Sequence, residues 1–411
     1  MSATARRTAR EAVLPLLLSI TCIAAIAVFA DLKTEGTAAY LDPGWDRHLY
    51  VAMANTNPLD FHLAPFCWRV LVPLLAWASP FALQDSFLAV TLLSATASGA
   101  LLYFLARSFG ADRSIGLGAI VLFYGVGWAT RFQVADFWIP DSAATAFSIA
   151  AMLAAKTRRP VPFAILLAVG VLSKESVVFV APLFYTLNAK SPLDRTALAQ
   201  TTVGAFPAVL VLVLLRVLIP QQNGDMTYIA SLPEIIARFP DLYPHYDYAD
   251  QFRLVAYEQR YQERDWHMLR QFTVGAFGLL LLMLASAGAW ARPRLALQLS
   301  PFVALAMFQL LFATDTERLI AFATPALIVL AVAGFTALQA AGWLDSRLAL
   351  PLAVPGFVAQ LALGDRFTTP TWVDVLVTLA VLLTAVMATR LLRACSNQHG
   401  RPGPEDAIPR T

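Results

Sequence analysis

Four short stretches of this chain collect ionisable residues inside an otherwise apolar sequence. "YLDPGWDRHLYVAMA" (40–54) places Asp42, Asp46, Arg47 and His48 beside Tyr50, and "RFQVADFWIPDSA" (131–143) places Arg131, Asp136 and Asp141 around Trp138 and Pro140. "LSKES" (172–176) sets Lys174 and Glu175 in the middle of the mostly apolar run 160–188, and "ATDTERLIAFATPAL" (313–327) opens an apolar run with Asp315, Glu317 and Arg318. Carboxylates in such places suit general-base work on a hydroxyl, or hold a metal that orients a phosphate. Lysine and arginine suit a phosphate anion.

Each stretch also has a plain structural reading. Asp42-Pro-Gly reads first as a turn, and Asp46 could cap the helix that follows it. Asp141 behind Pro140 fits a helix start, with the neighbouring aromatics in an interfacial belt. Lys174 and Glu175 could form an exposed turn between two short helices, although ionisable groups at membrane depth are costly and as a rule functional. Arg318 opposes the dipole of the helix it opens, so it wants an anion: a phosphate, Glu317 or Asp315. Arg69, in "CWRVLVPLLAW" (67–77), raises the same question. Asp46 stands out because Arg47, His48 and Tyr50 accompany it immediately after the first long apolar run.

The elements that position these groups are set by composition. The 411 residues are 58% hydrophobic and 14% charged, with a mean hydropathy of +0.62. Soluble domains carry about 25% charged residues, so the chain reads as an all-α, polytopic transmembrane helical protein. A net charge of +3 is too small to suggest nucleic acid. Cys22, Cys67 and Cys395 are scattered and give neither a disulfide framework nor metal spacing. No Gly-rich phosphate loop, HExxH or Cys/His cluster occurs.

A span needs ~20 apolar residues. The candidates are 12–30, 84–106, 114–128, 140–155, 196–219, 271–290, 296–313, 318–340, 346–363 and 371–393. The first, behind Arg6, Arg7 and Arg10, reads as an uncleaved anchor. Splitting 160–188 into two short passes at Lys174–Glu175 gives about twelve crossings with both ends cytoplasmic. It also puts the short basic loops on one side, as the positive-inside rule asks. The other side receives two long loops, 31–83 and 220–270, and all four ionisable clusters. The first loop should carry short helices near 46–56 and 67–77. The second, rich in acids, arginines and tyrosines, should carry a helix over "YEQRYQERDWHMLRQF" (257–272). Residues 1–393 thus form a single domain, and 394–411 a disordered cytoplasmic tail.

Together, "GWDRHLYVAMA", "WRVLVPLLAW", "ADFWIPDSA", "LSKES" and "DTERLIAFATPAL" resemble the GT-C superfamily of membrane glycosyltransferases over roughly residues 10–340. The closest likeness is to uncharacterised bacterial members with a Tyr-Asp-Gly-type first loop, where this chain has Trp45-Asp46-Arg47. The resemblance implies a cavity at the periplasmic face of the bacterial inner membrane. It implies transfer of a sugar from a polyprenyl-phosphate donor to an envelope glycan, lipid or protein acceptor, among membrane lipids and with no covalent cofactor. The family's base maps onto Asp46. Asp136 and Asp141 are further catalytic candidates, and Lys174, Arg318, Arg131 and Arg69 would bind the donor phosphate. Asp42, Arg47, His48, Tyr50, Glu175 and Asp315 would support them. Many members pair two acids two residues apart; Asp42 and Asp46 lie four apart, which leaves a divalent metal without support. Two other classes fit the composition: a transporter or flippase for an envelope precursor, and a non-catalytic scaffold of envelope assembly. A transporter predicts charges at the midplane of several helices. Here the spans are nearly free of charge.

Overall fold

The computed structural model describes residues 3–32, 46–220, 273–309, 316–362, 375–381 and 383. Among them every regular element is helical, because lipid offers backbone groups no hydrogen-bond partners and a helix satisfies its own. In chain order the helices are α1 (Ala3–Phe29), α2 (Arg47–Asn55), α3 (Leu71–Trp77), α4 (Leu83–Ser108) and α5 (Arg113–Tyr124). Next come α6 (Arg131–Ala135), α7 (Asp141–Lys156), α8 (Pro160–Gly170), α9 (Ala181–Asn188) and α10 (Arg195–Leu218). The last are α11 (Leu279–Ala291), α12 (Pro293–Phe308), α13 (Thr316–Ile320), α14 (Thr324–Ala340) and α15 (Ala349–Ala362). Among the described residues, four stretches are long and apolar enough to cross a membrane: Glu11–Phe29, α4, α10 and Arg318–Ala340. A fifth arises if α5 and Gly127–Ala135, bent by 87° to one another, form one broken span. The apolar helices Pro160–Gly170, Leu279–Ala291, Pro293–Phe308 and Ser346–Ala362 are shorter. At ~1.5 Å per residue they fall short of the ~30 Å hydrocarbon layer, so among the described residues four or five stretches are long enough to cross fully.

Local chemistry explains the breaks. Asp112 and Asp194 cap α5 and α10 through the amides of Ile115 (2.9 Å) and Ala197 (3.0 Å). The run 160–188 divides where the sequence suggests. α8 stops at Gly170, Lys174 is extended, and a 3-10 turn over Glu175–Val180 leads into α9. Residues 46–56 yield α2, while 67–77 yields a 3-10 turn (Phe66–Trp68) and then α3.

Packing separates two ends of the bundle. At one end Arg158 donates to Asn188 (3.1 Å), Asn188 to the Ala155 carbonyl (2.9 Å), and Arg292 to the Phe109 carbonyl (3.4 Å), with Lys156 over the Phe109 ring. These are the short basic loops assigned above to one side. At the other end the first loop builds a small core of its own. Tyr50, Met53, Phe61 and Cys67 pack with Phe132, Phe137 and Trp138 of the acidic turn. Trp138 is fully buried, stacked on Phe137 and tilted against Phe87, so it is core rather than interfacial belt. α3 keeps Leu75 and Trp77 exposed and buries Val72, Pro73 and Ala76, the two faces expected of an interfacial helix. α11 and α14 run closest together. A Cβ at Gly288 would stand 1.8 Å from the Leu330 carbonyl oxygen, and one at Gly334 2.1 Å from that of Leu284. Asp42, Asp315, the second outer loop and the C-terminal tail lie outside the described residues.

Candidate functional site

Arg318, one turn before the 3-10 stretch that leads into α14, joins three of the four sequence clusters. It is buried, and its Nη1 donates to Asp46 Oδ2 (3.0 Å). Its Nη2 and Nε grip both oxygens of Asp141 (3.1 and 3.3 Å), the two-pronged geometry that a planar guanidinium favours. Lys174 Nζ donates to the same Asp141 at 2.6 Å. One carboxylate at the start of α7 therefore holds a lysine from the 172–176 break and an arginine from the α13 cluster, 33 and 177 residues away. The Arg318 guanidinium also stands 6.0 Å from the centre of the Phe132 ring.

Two further pairs flank this centre. Arg47 Nη1 reaches Asp136 Oδ2 at 3.4 Å, both side chains buried. Arg69 Nε donates to Glu175 Oε2 (3.0 Å) and its Nη1 to the Tyr50 hydroxyl (2.8 Å). Burial pushes the Tyr50 phenol above its ordinary range, so it meets Arg69 as a neutral acceptor. The first loop is docked by its backbone as well, since the Leu71 amide donates to the Leu172 carbonyl at 2.9 Å. Thr91 on α4 holds the acidic turn through the Phe137 carbonyl (2.9 Å).

The carboxylates are not equivalent. Asp141 is buried and doubly held, whereas Asp46 has 28% of its side chain exposed and one bond to Arg318. Asp46 makes no side-chain cap on α2, so the capping reading gives way to the ion pair. Asp141 is likewise the first residue of α7 rather than its cap, a place taken by Pro140. Asp136 leaves Oδ1 buried without a hydrogen-bond partner. Burial pushes its carboxyl up to about 6, against the pull of Arg47 and Arg318.

Asp46, Arg47, Tyr50, Arg69, Asp136, Asp141, Lys174, Glu175 and Arg318 thus gather through direct contacts and mutual electrostatic influence. Arg131 is anchored to backbone. Its guanidinium donates to the carbonyls of Gln360 (2.6 Å) and Phe29 (2.7 Å), stitching α6 to α15 and α1. His48 lies in α2, and its side chain is outside the described residues, as is that of Glu317. Gln309, which receives the Ser176 hydroxyl, was not singled out from the sequence. A lone amide just past the last turn of apolar α12 was the available signal. Among the described residues no group of three or more His, Cys, Asp or Glu is placed to hold a metal. Among the described residues of the site, four cations face four carboxylates.

The chain matches no protein-family model and no curated protein.

Proposed function

We propose that the chain is an integral membrane glycosyltransferase that moves a sugar from a polyprenyl-phosphate donor to a hydroxyl of an envelope glycan, lipid or protein. The sharing of Arg318 between a buried, doubly held Asp141 and a partly exposed, singly held Asp46 carries this reading. An arriving donor phosphate competes most easily for the Nη1 that Asp46 occupies, because Asp141 keeps Arg318 oriented with two bonds. The exchange leaves Arg318 on the phosphate and frees the Asp46 carboxylate. Asp46 then takes the proton of the acceptor hydroxyl while that hydroxyl's oxygen forms a bond to the anomeric carbon. The bond from that carbon to the phosphate oxygen breaks, and its electron pair leaves with the phosphate. Arg318, with Lys174 and Arg69 behind it, stabilises that anion. A single base opposite the leaving group inverts the anomeric centre.

The same reading keeps about twelve passes, with the short helices as partial crossings, and sets the site at the periplasmic face of a bacterial inner membrane. The test compares envelope glycans from cells with the gene, without it, and with Asp46→Asn. Loss of a general base costs ~10²–10⁴ in rate, so the variant should behave as the deletion does while accumulating as folded protein. An unchanged glycan profile from Asp46→Asn would remove the base assignment. Flux of a lipid-linked precursor across vesicles without product would favour the transporter.

A further inference from the structure

At the end of the bundle that carries the short basic loops, away from the charged site, cations from two loops meet beside Phe109 in a third. Lys156, the last residue of α7, stands over the Phe109 ring at 4.5 Å. Arg292, between α11 and α12, donates to the Phe109 carbonyl at 3.4 Å. Arg158 donates to Asn188, the last residue of α9, at 3.1 Å. Asn188 is itself fixed by the carbonyls of Ala155 (2.9 Å) and Phe184 (2.7 Å). The charges that act on Lys156 are those of Arg158 and Arg292, both of its own sign. Among the described residues none of the three is paired with a carboxylate. The described acids at this end are engaged elsewhere: Glu11 meets Arg107 (3.4 Å), and Asp112, Asp194 and Asp345 accept from backbone amides at helix starts. The backbone holds one of these cations in place at a cost. α7 closes with the Arg158 amide on the Ala155 carbonyl (3.1 Å) and the Arg159 amide on the Ala154 carbonyl (2.9 Å), which sets Arg158 in the left-handed region at φ 57°. Glycine ordinarily stands at that position because it has no Cβ to strain. A strained residue kept beside two like charges is the kind of outlier that marks a functional demand.

We infer that Lys156, Arg158 and Arg292 form a site for the phosphate of an anionic phospholipid. Positive charge in a short loop is expected of topology alone, but topology does not ask that like charges be drawn together without a counter-charge. A phosphate supplies one, accepting from the Lys156 ammonium and from the guanidinium N–H groups that Asn188 and Phe109 leave open. What adjoins the cluster favours a lipid over a soluble anion. α8 begins just after Arg159 and α12 just after Arg292, and Val161, Ile165 and Leu297 on their first two turns are exposed. Trp290, two residues before Arg292, is 90% exposed, the placement of an indole at headgroup depth. These apolar surfaces receive the acyl chains while the head sits on the cations. A zwitterionic head brings an ammonium into a cluster already positive, so net charge sets the preference. The inference does not rest on the glycosyltransferase reading.

The test uses the full-length protein in phosphatidylcholine vesicles with a trace of phosphatidylglycerol that bears a diazirine near the start of one acyl chain. Cross-linked peptides are mapped by mass spectrometry. Labelling is expected on peptides carrying Val161, Trp290 or Leu297, with competition by unlabelled phosphatidylglycerol and none by inorganic phosphate. Each lysine or arginine at an anionic head is worth about fivefold in binding, so Lys156→Gln, Arg292→Gln and Arg158→Gly should each lower that labelling about fivefold. Arg158→Gly suits the left-handed backbone, so its effect is separable from misfolding, and an unchanged gel-filtration profile checks this. Arg195→Gln and Arg347→Gln remove exposed arginines of the same end that lie outside the cluster, and they should leave the labelling as it is. An equal fall in these two controls would reduce the site to diffuse surface charge and overturn the proposal. Labelling indifferent to all three cluster variants would overturn it as well. Displacement of the lipid by inorganic phosphate would reassign the cluster to a soluble anion and refute the lipid.

Discussion

Replacing Arg318 with methionine tests the central geometry directly. The substitution keeps much of the side-chain volume and removes three donor contacts, at 3.0 Å to Asp46 and at 3.1 and 3.3 Å to Asp141. Asp141 is buried, so it cannot turn to water; it retains Lys174 at 2.6 Å and loses half its compensation. Removing one partner of a buried ion pair costs ~3–5 kcal/mol, against ~0–1 kcal/mol for an exposed pair. We expect Arg318→Met near the lower end of the buried range, at about 3 kcal/mol, because Lys174 stays. Asp141→Asn in the same protein removes the charge that Arg318 and Lys174 answer. The double variant should therefore cost clearly less than the two singles added, with a coupling of roughly 2 kcal/mol. Unfolding by SDS in mixed micelles, followed by tryptophan fluorescence, reads the differences, and Asp46→Asn serves as comparison at about 1 kcal/mol or less because that carboxylate is partly exposed. Additive single effects, or an Arg318→Met protein within ~0.5 kcal/mol of the parent, would refute a buried network organised by Arg318.

Asp136 predicts a pH dependence of definite sign. Its folded-state carboxyl is raised to about 6 from an ordinary value of 3.8, so its stabilising contribution is complete below the ordinary value and is lost as pH rises through about 6. The swing is on the order of 3 kcal/mol. Asp136→Asn, measured by the same SDS titration from pH 4 to 7.5, should flatten that fall; an unaltered profile would assign it to another group. Gly334→Val drives a side chain into the Leu284 carbonyl, and overpacking of this kind costs ~1–3 kcal/mol or more. Its yield of monodisperse protein on gel filtration should drop sharply, while Gly356→Ala leaves it unchanged. Arg69→Leu strands Glu175, whose Oε1 already lacks a hydrogen-bond partner. It should destabilise more than Arg69→Leu adds in a Glu175→Gln background, and equal costs in the two backgrounds would dissolve that pair.

The membrane class and the break at Lys174 were open to sequence reading, because each depends on local composition. Low charge and long apolar runs announce lipid. A Lys-Glu pair inside an apolar run announces an interruption, which the structure carries as extended Lys174 and a 3-10 turn. The spacing of apolar residues is also local, so α2 and α3 appear within a residue or a few of where it put them. Helix length was not legible in the same way. Apolar runs read as unbroken spans are interrupted after Tyr124 and at Gly278, since chain breaks depend on neighbours that window averages ignore.

Partners were the part that only tertiary structure decided. Nothing near Arg318 in the chain told that Asp141 and Asp46 would answer it, because that depends on which elements the packing brings within about 3 Å. Nothing near Arg131 told that backbone carbonyls at the end of α1 and on α15 would hold it. The residue types were written locally. Their pairing followed from the burial of the first loop against the acidic turn, where a charge that cannot reach water must find its opposite across the fold.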